Sequence, residues 1–510
     1  MGRPKVIRPA LFVVIAVVIV GLFLRLYNRH AAMYYMNDQG HLLLVAHEIN
    51  NSGHVPLAGP RITIAGVSIP PINYYLVSLF ERLGSDPLMV SLGYISMGTL
   101  GSVALWRYGM LVFGASAGFW TLFVLMLSSS AVEQSRSIWE PHPMIPLIAF
   151  YLLLTELGFL QKNPWLMGAG ILSYVLSATF YPAPILLLPY VIARTAGQLH
   201  MSKMASIALV GGMAAAVFVP WIMATNPLTF YSQAGETSSF AIASVRGITE
   251  ALYANVSTLI HDTFGLSVAL PQSWVGALWL KAMVFCFVAL SIVSVTKQEI
   301  SKTLKFLTSH HYHWLVLGFL VPALIGMKLM PHRLLPFYPF FFLTFGQWIS
   351  VWISGNHRFS QAIILLAVGL FIVGNMKSWY VTTIKTPRND YTRTTHAVET
   401  IVQDMAMRRI PVESIGVHYF RPDDQYDFFG AHLYYLLRLR INYPVSFPPL
   451  GNELLRGKTE EHAVAYLVCD GFLDASSGCI QPFATRWPYY TLAEKYRITE
   501  MESVYVFERI

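Results

Sequence analysis

The sequence predicts a mainly α-helical membrane protein with a small α/β domain at its C-terminal end. Three observations support this fold class. The 510 residues are 55% hydrophobic and only 12% charged, whereas a soluble domain carries about a quarter charged residues. Apolar windows of about 17 to 25 residues, long enough to cross a bilayer as a helix, recur up to residue 380. From about residue 385 the composition becomes that of a soluble domain.

The apolar windows predict about eleven transmembrane helices. They cover residues 10–27, 87–113, 115–131, 143–160, 165–180, 183–195, 205–224, 273–295, 314–327, 334–352 and 362–380. The two short windows on either side of Tyr181 and Pro182 have a second interpretation as one kinked hairpin.

The charged residues between these windows predict the topology. Arg3, Lys5 and Arg8 precede the first apolar run, which is long and is followed by no small-x-small cleavage site, so we interpret it as a retained span with a cytoplasmic N-terminus. The predicted cytoplasmic loops are short, and each carries a basic residue. An odd number of spans then places the C-terminal domain and both long loops on the other side. The compact loops favour a prokaryotic inner membrane, with this outer face in the periplasm or outside the cell.

This topology divides the chain into a polytopic domain, residues 1–384, and an extracytoplasmic α/β domain, residues 385–510. In the first outer loop, residues 28–85, apolar positions predict one or two amphipathic helices on the membrane surface: Leu42, Leu43, Ala46, Ile49 and Leu57. The pair Pro70-Pro71 predicts a new helix from Ile72. In the second outer loop, residues 225–272, residues 242–260 predict another interfacial helix, and this loop is the expected mobile cover of the site.

The C-terminal region alternates strand-like and helix-like segments. Residues 414–419, 463–469 and 503–508 are typical of strands, and residues 430–438 are typical of a helix. The continuous apolar run at 463–469 predicts a buried parallel strand. The region shows no phosphate-binding glycine fingerprint, zinc spacing or nucleophile elbow, which favours a role in acceptor recognition or capping.

The charge distribution argues against a nucleic-acid-binding protein, and the cysteine positions leave a disulfide open. The net charge of +8 is spread over short loops, without the basic, aromatic-laced patch of a nucleic-acid-binding protein. Cys286 lies in an apolar span. Cys469 and Cys479 lie close together in the polar C-terminal region, as a disulfide on the outer face or as two unlinked thiols.

Four groups of residues that can carry chemistry fall on the predicted outer face. Asp38 follows the first span by about one helical turn, where a carboxylate is costly unless it faces a polar cavity, although a solvated loop position is the competing interpretation. The other groups are Arg136 with Trp139 and Glu140, Lys328 with His332 and Arg333, and the Pro70-Pro71 turn with Tyr74 and Tyr75.

The order of these groups resembles the GT-C superfamily of lipid-dependent glycosyltransferases, closest to its protein O-mannosyltransferase and aminoarabinose transferase branch. The matching segments are Asp38, Gly59-Pro60 with Pro70-Pro71, Ser135-Arg136 with Trp139, and Arg333 to Pro339, within about residues 10 to 380. The resemblance implies a sugar donor carried on a polyprenyl phosphate and an inverting transfer on the non-cytoplasmic side. The mannosyltransferases usually have Asp-Glu in the first loop. Here Gln39 follows Asp38, which removes the second carboxylate and with it the expected basis for a metal site.

The residues themselves support the same chemistry. Transfer to a hydroxyl needs a base, for which Asp38 is the candidate. The departing lipid phosphate needs cations, for which Arg333 and Lys328 lead and His332 and Arg136 follow.

Competing interpretations apply to most of these positions. Arg333 also fits a snorkelling arginine at a span end, and Glu140 a solvated loop carboxylate rather than an acceptor or metal contact. Tyr74 and Tyr75 fit interfacial belt residues, and Trp139 fits packing as well as sugar stacking. A divalent ion is left open, with Asp38 and Glu140 as its candidate ligands. The spacing of His41, His47 and His54 does not predict a metal site.

The sequence therefore predicts a glycosyltransferase that takes a polyprenyl-phosphate sugar and acts on a lipid, glycan or protein hydroxyl. Two alternatives are a transporter or flippase of lipid-linked glycans, and an O-antigen ligase-like enzyme. The near absence of acidic residues from the spans and of internal repeats argues against a transporter. The early aspartate argues against a ligase. The identity of the sugar and of the acceptor does not follow from these patterns.

Overall fold

The computed structural model describes residues 11–53, 55–60, 68–196, 250, 254, 258, 334–354, 358–420, 430–444, 462–470, 479–499 and 502–510. Its α-helices are α1 (Leu11–Leu26), α2 (Arg29–Ala32), α3 (Asn37–Ser52), α4 (Ile72–Glu81), α5 (Pro87–Phe113), α6 (Ala115–Leu127), α7 (Ser129–Arg136), α8 (Met144–Leu160), α9 (Pro164–Phe180), α10 (Leu188–Ala196), α11 (Tyr338–Ser354), α12 (Arg358–Tyr380), α13 (Asp390–Arg408), α14 (Ala431–Ile441) and α15 (Gln481–Arg486). The strands are β1 (Ile415–Phe420), β2 (Val464–Asp470), β3 (Tyr490–Arg497) and β4 (Glu502–Arg509).

Helices occur at each predicted span that the structure describes. Within the described ranges, Pro87–Phe113 and the helical stretch Ile364–Arg408 are long and apolar enough to cross a bilayer. The pair α6 and α7, bent by 60° at Ser128, adds a third if it forms one span. Around Tyr181, α9 ends and a short 3₁₀ turn leads into α10. The predicted spans at 205–224, 273–295 and 314–327 lie outside the described residues, so the total of eleven stays a prediction. Of the predicted interfacial helix at 242–260, only three helical residues are described.

The described chain forms two compact units. The first comprises residues 1–27, 92–136 and 140–386, and the second comprises residues 28–91, 137–139 and 387–510. The second unit therefore groups the first outer loop with the C-terminal region, although these two segments lie at opposite ends of the sequence.

The first unit is a bundle of apolar helices in which small residues allow close packing. In α11, a β-carbon at Gly346 would lie 2.4 Å from the side chain of Thr121 on α6. Small residues at such positions let two helix backbones approach, which is the usual way that helices pack in a membrane.

The second unit holds a four-stranded sheet in the order β1-β2-β4-β3. β1 and β2 run parallel, with Gly416 opposite Ala465, and the other neighbouring pairs run antiparallel. All residues of β2 are buried, as the continuous apolar run predicts. Cys469 at the end of β2 forms a disulfide with Cys479, and both lie in the core beside this sheet.

The amphipathic helices of the first outer loop belong to this second unit. α3 packs against α4 and α14. Its Leu42, Leu43 and Ala46 are fully buried, whereas Leu57 lies outside the helix and is exposed. The apolar face of α3 is therefore covered by protein, where the sequence pattern predicts contact with the membrane surface. Because α14 of the C-terminal region supplies part of that cover, periodicity alone could not distinguish the two arrangements.

Candidate functional site

The site is built around the first turn of α3. Asp38 is the second residue of this helix, and its side chain is exposed. A carboxylate at this position interacts favourably with the unpaired N–H groups and the positive end of the helix dipole. Gln39, the next residue, is buried, and its Oε1 accepts a hydrogen bond of 3.0 Å from the backbone N–H of Met36. Gln39 therefore closes the start of the helix and leaves Asp38 as the accessible group.

Asp38 is crowded as well as accessible. Desolvation by the surrounding protein raises the pKa of its carboxyl group, and a hydrogen bond from the side chain of Trp139 opposes that rise. Trp139, which the sequence associates with packing or sugar stacking, thus contacts the candidate base directly. A carboxylate with a raised pKa accepts a proton more readily than an ordinary surface aspartate.

Contacts with α14 fix the position of Asp38. The carbonyl oxygen of the Asn37 side chain accepts a 2.9 Å hydrogen bond from the backbone N–H of Ala431, at the first turn of α14. A β-carbon at Gly40 would lie 2.0 Å from the backbone nitrogen of His432, so the two helices touch through this glycine. Tyr35 donates a 3.0 Å hydrogen bond to the backbone carbonyl of His432. The residues on both sides of Asp38 are therefore anchored to α14.

The two tyrosines after Pro70-Pro71 lie on α4, which packs beside α3. Tyr74 is buried, and its hydroxyl lies 2.8 Å from Nε2 of His41. Tyr75 donates a 2.5 Å hydrogen bond to the backbone carbonyl of Pro56. Both phenols are therefore engaged with protein groups, and Tyr74 reaches a histidine on the helix that carries Asp38.

Polar groups join the C-terminal ends of α3 and α4, away from the candidate base. Nδ1 of His47 lies 2.6 Å from Oε1 of the buried Glu81. Asn50 donates to the second oxygen of that carboxylate and to the backbone carbonyl of Ser78. This network holds the two helices together and gives His47 a structural role.

Arg136 and Glu140 belong to the first unit. The buried guanidinium of Arg136 donates to the backbone carbonyls of Leu24 and Arg25, at the end of α1, and to the hydroxyl of Thr383. A cation at a helix C-terminus is favourable because the last carbonyls lack partners. In this structure Arg136 thus joins the end of α1 to the segment after α12. Glu140 is also buried.

The leading cations of the sequence analysis, Lys328, His332 and Arg333, lie outside the described residues. A cation that the sequence analysis missed is Arg388, in the second unit. Its guanidinium lies 4.3 Å from the ring centroid of Tyr34 and 4.0 Å from the carboxylate of Asp390, and half of its side chain is exposed. Burial raises the pKa of the Tyr34 phenol, Arg388 acts in the opposite direction, and the carboxylates of Asp38 and Asp390 add to the rise. An arginine soon after the last apolar span was the available signal.

The described residues do not fit a divalent ion beside Asp38. None of them forms a group of three or more metal-ligating side chains. The position next to Asp38, where an Asp-Glu pair has its second carboxylate, holds Gln39, which is buried and hydrogen-bonded to Met36.

No protein-family model matches the sequence, and no curated protein is significantly similar to it. The structure, in contrast, resembles that of ArnT from Cupriavidus metallidurans bound to undecaprenyl phosphate. The TM-score is 0.58 at 12% sequence identity, and the match covers 97% of both chains. The same protein in its apo state gives a TM-score of 0.55 over the same shares.

The chain therefore has the same fold as ArnT. An oligosaccharyltransferase from Archaeoglobus fulgidus, in a complex with Zn and sulfate, matches at a TM-score of 0.47 and 14% identity, covering 94% of this chain and 71% of that one. The full-length match to ArnT extends the GT-C resemblance, which the sequence shows for about residues 10 to 380, over the C-terminal region as well.

Proposed function

We propose that this chain is a membrane glycosyltransferase that moves a sugar from a polyprenyl-phosphate donor to a hydroxyl group of an acceptor. Two observations support the proposal. The match to the ArnT structure covers 97% of this chain, and that ArnT structure holds undecaprenyl phosphate. The observation that carries the proposal is the accessible, desolvated carboxylate of Asp38 at the anchored first turn of α3.

In the proposed reaction Asp38 acts as the general base. It takes the proton from the acceptor hydroxyl while that oxygen forms a bond to the anomeric carbon of the sugar. The bond between the anomeric carbon and the phosphate oxygen breaks, and its electron pair leaves with the polyprenyl phosphate. Because the acceptor attacks from the face opposite the phosphate, the anomeric configuration inverts. We place this reaction on the non-cytoplasmic face of the membrane.

The leaving phosphate gains negative charge as the bond breaks, so nearby cations lower the barrier. We propose Lys328, His332 and Arg333 for this role from the sequence, and we add Arg388 of the second unit. Arg388 fits because Tyr34 and Asp390 hold its guanidinium while much of it stays exposed. For Arg136 the proposal requires that it exchange its present carbonyl partners for phosphate oxygens.

Contacts to the sugar or acceptor are proposed for Trp139, Tyr74, Tyr75, Gln39 and Glu140. Trp139 is the strongest of these, because its side chain already contacts Asp38. No step of the proposed reaction is assigned to a metal ion.

The proposal is tested with the full-length protein in lipid nanodiscs, a radiolabelled polyprenyl-phosphate sugar and a mixture of lipid and glycan acceptors. We expect labelled product, with one sugar added by mass spectrometry and inverted anomeric configuration by NMR. Movement of the donor across a liposome membrane without transfer would support the flippase alternative, and addition of a whole glycan would support the ligase alternative.

Two matched variants sharpen this test. Asp38→Asn should lower the transfer rate by about 10²- to 10⁴-fold, the usual contribution of a general base. Glu413→Gln makes the same chemical change at an exposed position of the second unit and should leave the rate unchanged. Equal rates in the two variants would remove Asp38 from the reaction.

A further inference from the structure

His41 lies one helical turn after Asp38 on α3. Side chains three residues apart on a helix are neighbours, with β-carbons about 5–6 Å apart. The ring of His41 keeps part of its surface accessible, although surrounding protein desolvates it. His41 thus shares with Asp38 the combination of access and crowding. The two side chains therefore project from the same stretch of the helix surface.

Tyr74 holds one nitrogen of the His41 ring. Its hydroxyl lies 2.8 Å from Nε2, and the two rings meet edge to face with centroids 5.7 Å apart. Tyr74 is itself buried on α4, so it presents a fixed partner. Among the residues that the structure describes, Nδ1 of His41 has no hydrogen-bond partner, and this nitrogen keeps some accessible surface. The open nitrogen therefore faces the accessible side of the ring.

The His41 ring is neutral at physiological pH. Desolvation lowers its pKa to about 4. A neutral imidazole has one N–H donor and one acceptor nitrogen, and the bond that Nε2 makes decides which of them Nδ1 supplies. A neutral group of this kind suits an uncharged hydroxyl better than a phosphate, for which charged donors are preferred.

We propose that Nδ1 of His41 hydrogen-bonds a sugar hydroxyl of the substrate beside Asp38, and that Tyr74 is a positioning residue that orients the ring for this contact. The inference rests on the proposed glycosyl transfer. The hydroxyl belongs either to the sugar of the donor or to a sugar of the acceptor, and the two sources are separated by experiment.

The test compares two amides that imitate different ring nitrogens. The side chain of Asn ends near the place of Nδ1, and that of Gln ends near the place of Nε2. His41→Asn should therefore keep the substrate contact, whereas His41→Gln should keep the Tyr74 contact and lose the substrate. Tyr74→Phe removes the orienting hydroxyl, and its KM should lie between the values of His41→Asn and His41→Gln. The exposed His30 provides a matched control as His30→Gln.

The expected result is a rise in KM of about 2- to 10-fold for His41→Gln, as for one neutral hydrogen bond, with little change in kcat. His41→Asn and His30→Gln should stay near the wild-type values. A rise in the donor KM assigns the hydroxyl to the donor, and a rise in the acceptor KM assigns it to the acceptor. Thermal melting of each variant shows whether the fold is intact, and if His41→Gln is unfolded, Tyr74→Phe carries the comparison.

A binding measurement separates this inference from the proposed function. The probes are decaprenyl-phosphate mannose and bare decaprenyl phosphate, titrated against Asp38→Asn protein with and without His41→Gln. If His41 contacts the donor sugar, His41→Gln weakens binding of the mannosyl lipid and leaves binding of the bare lipid unchanged. If wild-type protein transfers sugar, but His41→Gln changes neither KM value and neither affinity, the His41 contact is wrong and the proposed function stands. If wild-type protein transfers no sugar, the proposed function fails. Equal affinities of the binding pair then reject a contact between His41 and the donor sugar.

Discussion

Two histidines of the second unit show how a ring at the candidate site differs from a ring in the protein core. His41 on α3 and His418 on β1 both have strongly lowered pKa values, about 4 and about 3, with desolvation as the main cause. His418 is buried in the sheet and lies 4.5 Å from the ring centroid of Trp487. His41 keeps accessible surface and an open nitrogen beside Asp38. A low pKa therefore marks burial in both cases, and access decides which ring can meet a substrate.

Two aspartates repeat the comparison. Asp404 on α13 accepts hydrogen bonds from Tyr466, Tyr496 and Arg408 at 2.6–2.8 Å and is buried. Asp38, in contrast, is exposed, and among the described residues its carboxylate accepts a hydrogen bond from Trp139. A carboxylate with three donors contributes to stability, whereas one with few donors and a raised pKa is free to take a proton.

The largest expected effect is the loss of activity in Asp38→Asn, and its absence would contradict this comparison of the two aspartates. Asp38→Asn should lose activity by about 10²- to 10⁴-fold without loss of stability, because the desolvated charge is removed. Asp404→Asn should instead lose about 1–3 kcal/mol of unfolding free energy, because it weakens a buried network. Transfer assays and denaturant unfolding of both proteins check the pair. The comparison is wrong if Asp38→Asn is the less stable variant or Asp404→Asn the less active one at a temperature where both are folded.

The anchoring of α3 gives the next effect. Gly40→Ala places a methyl group against the backbone of His432, which should cost about 1–3 kcal/mol and shift α3. The exposed Gly53, at the C-terminal end of the same helix, has nothing near its β-carbon position but has a φ of 71°, so Gly53→Asn is the milder control. Melting temperature and transfer rate should both fall for Gly40→Ala and stay nearly constant for Gly53→Asn. Full activity in Gly40→Ala would show that the α3–α14 contact does not position Asp38.

Arg388 supplies a smaller effect on the reaction. If its guanidinium meets the donor phosphate, Arg388→Gln should lower kcat/KM by about tenfold, the value of one charge-assisted hydrogen bond at a partly exposed position. The fold should be unaffected, because half of the side chain is exposed. Arg409→Gln, at the partly exposed C-terminal end of α13, is the control. Equal kinetics of the two variants would exclude Arg388 from the phosphate site.

The last prediction leaves the reaction unchanged and concerns the pH dependence of stability. Because the folded pKa of His418 is about 3, below the ordinary value near 6.5, the unfolded chain binds more protons between these values. The stabilisation is therefore fully present above pH 6.5 and is lost as the pH falls toward 3, by at most about 1.4 kcal/mol per pH unit for one histidine. His418→Phe should flatten this slope in unfolding experiments. An unchanged slope would mean that His418 ionises freely in the folded protein.

Some elements follow from local patterns alone. The window 87–113 coincides with α5, and the apolar run at 463–469 matches β2 within one residue. Both segments are continuous in sequence, and burial on all sides leaves an unambiguous composition. β3 shows no strand-like pattern in the sequence, because most of its residues are exposed and several are charged, as is usual for an edge strand.

The site was predictable only in part. The place of Asp38, just after the first span, identifies it as a candidate because a carboxylate there is costly. Tyr34 and Arg388 meet only in the folded second unit, and no spacing in the sequence indicates their contact. The spacing of His41 from the other histidines does not predict a metal site, and its contact with Tyr74 on another helix has no counterpart in the local sequence. Tertiary contacts of this kind have no local signature.

The most direct measurement of the central claim is a single turnover with donor already bound. Protein in nanodiscs is saturated with labelled polyprenyl-phosphate sugar and mixed rapidly with acceptor, so that only the chemical step limits the rate. For Asp38→Asn we expect donor affinity equal to wild type and a chemical step that is about 10²- to 10⁴-fold slower. A chemical step as fast as wild type, with the donor fully bound, would contradict the assignment of Asp38 as the base.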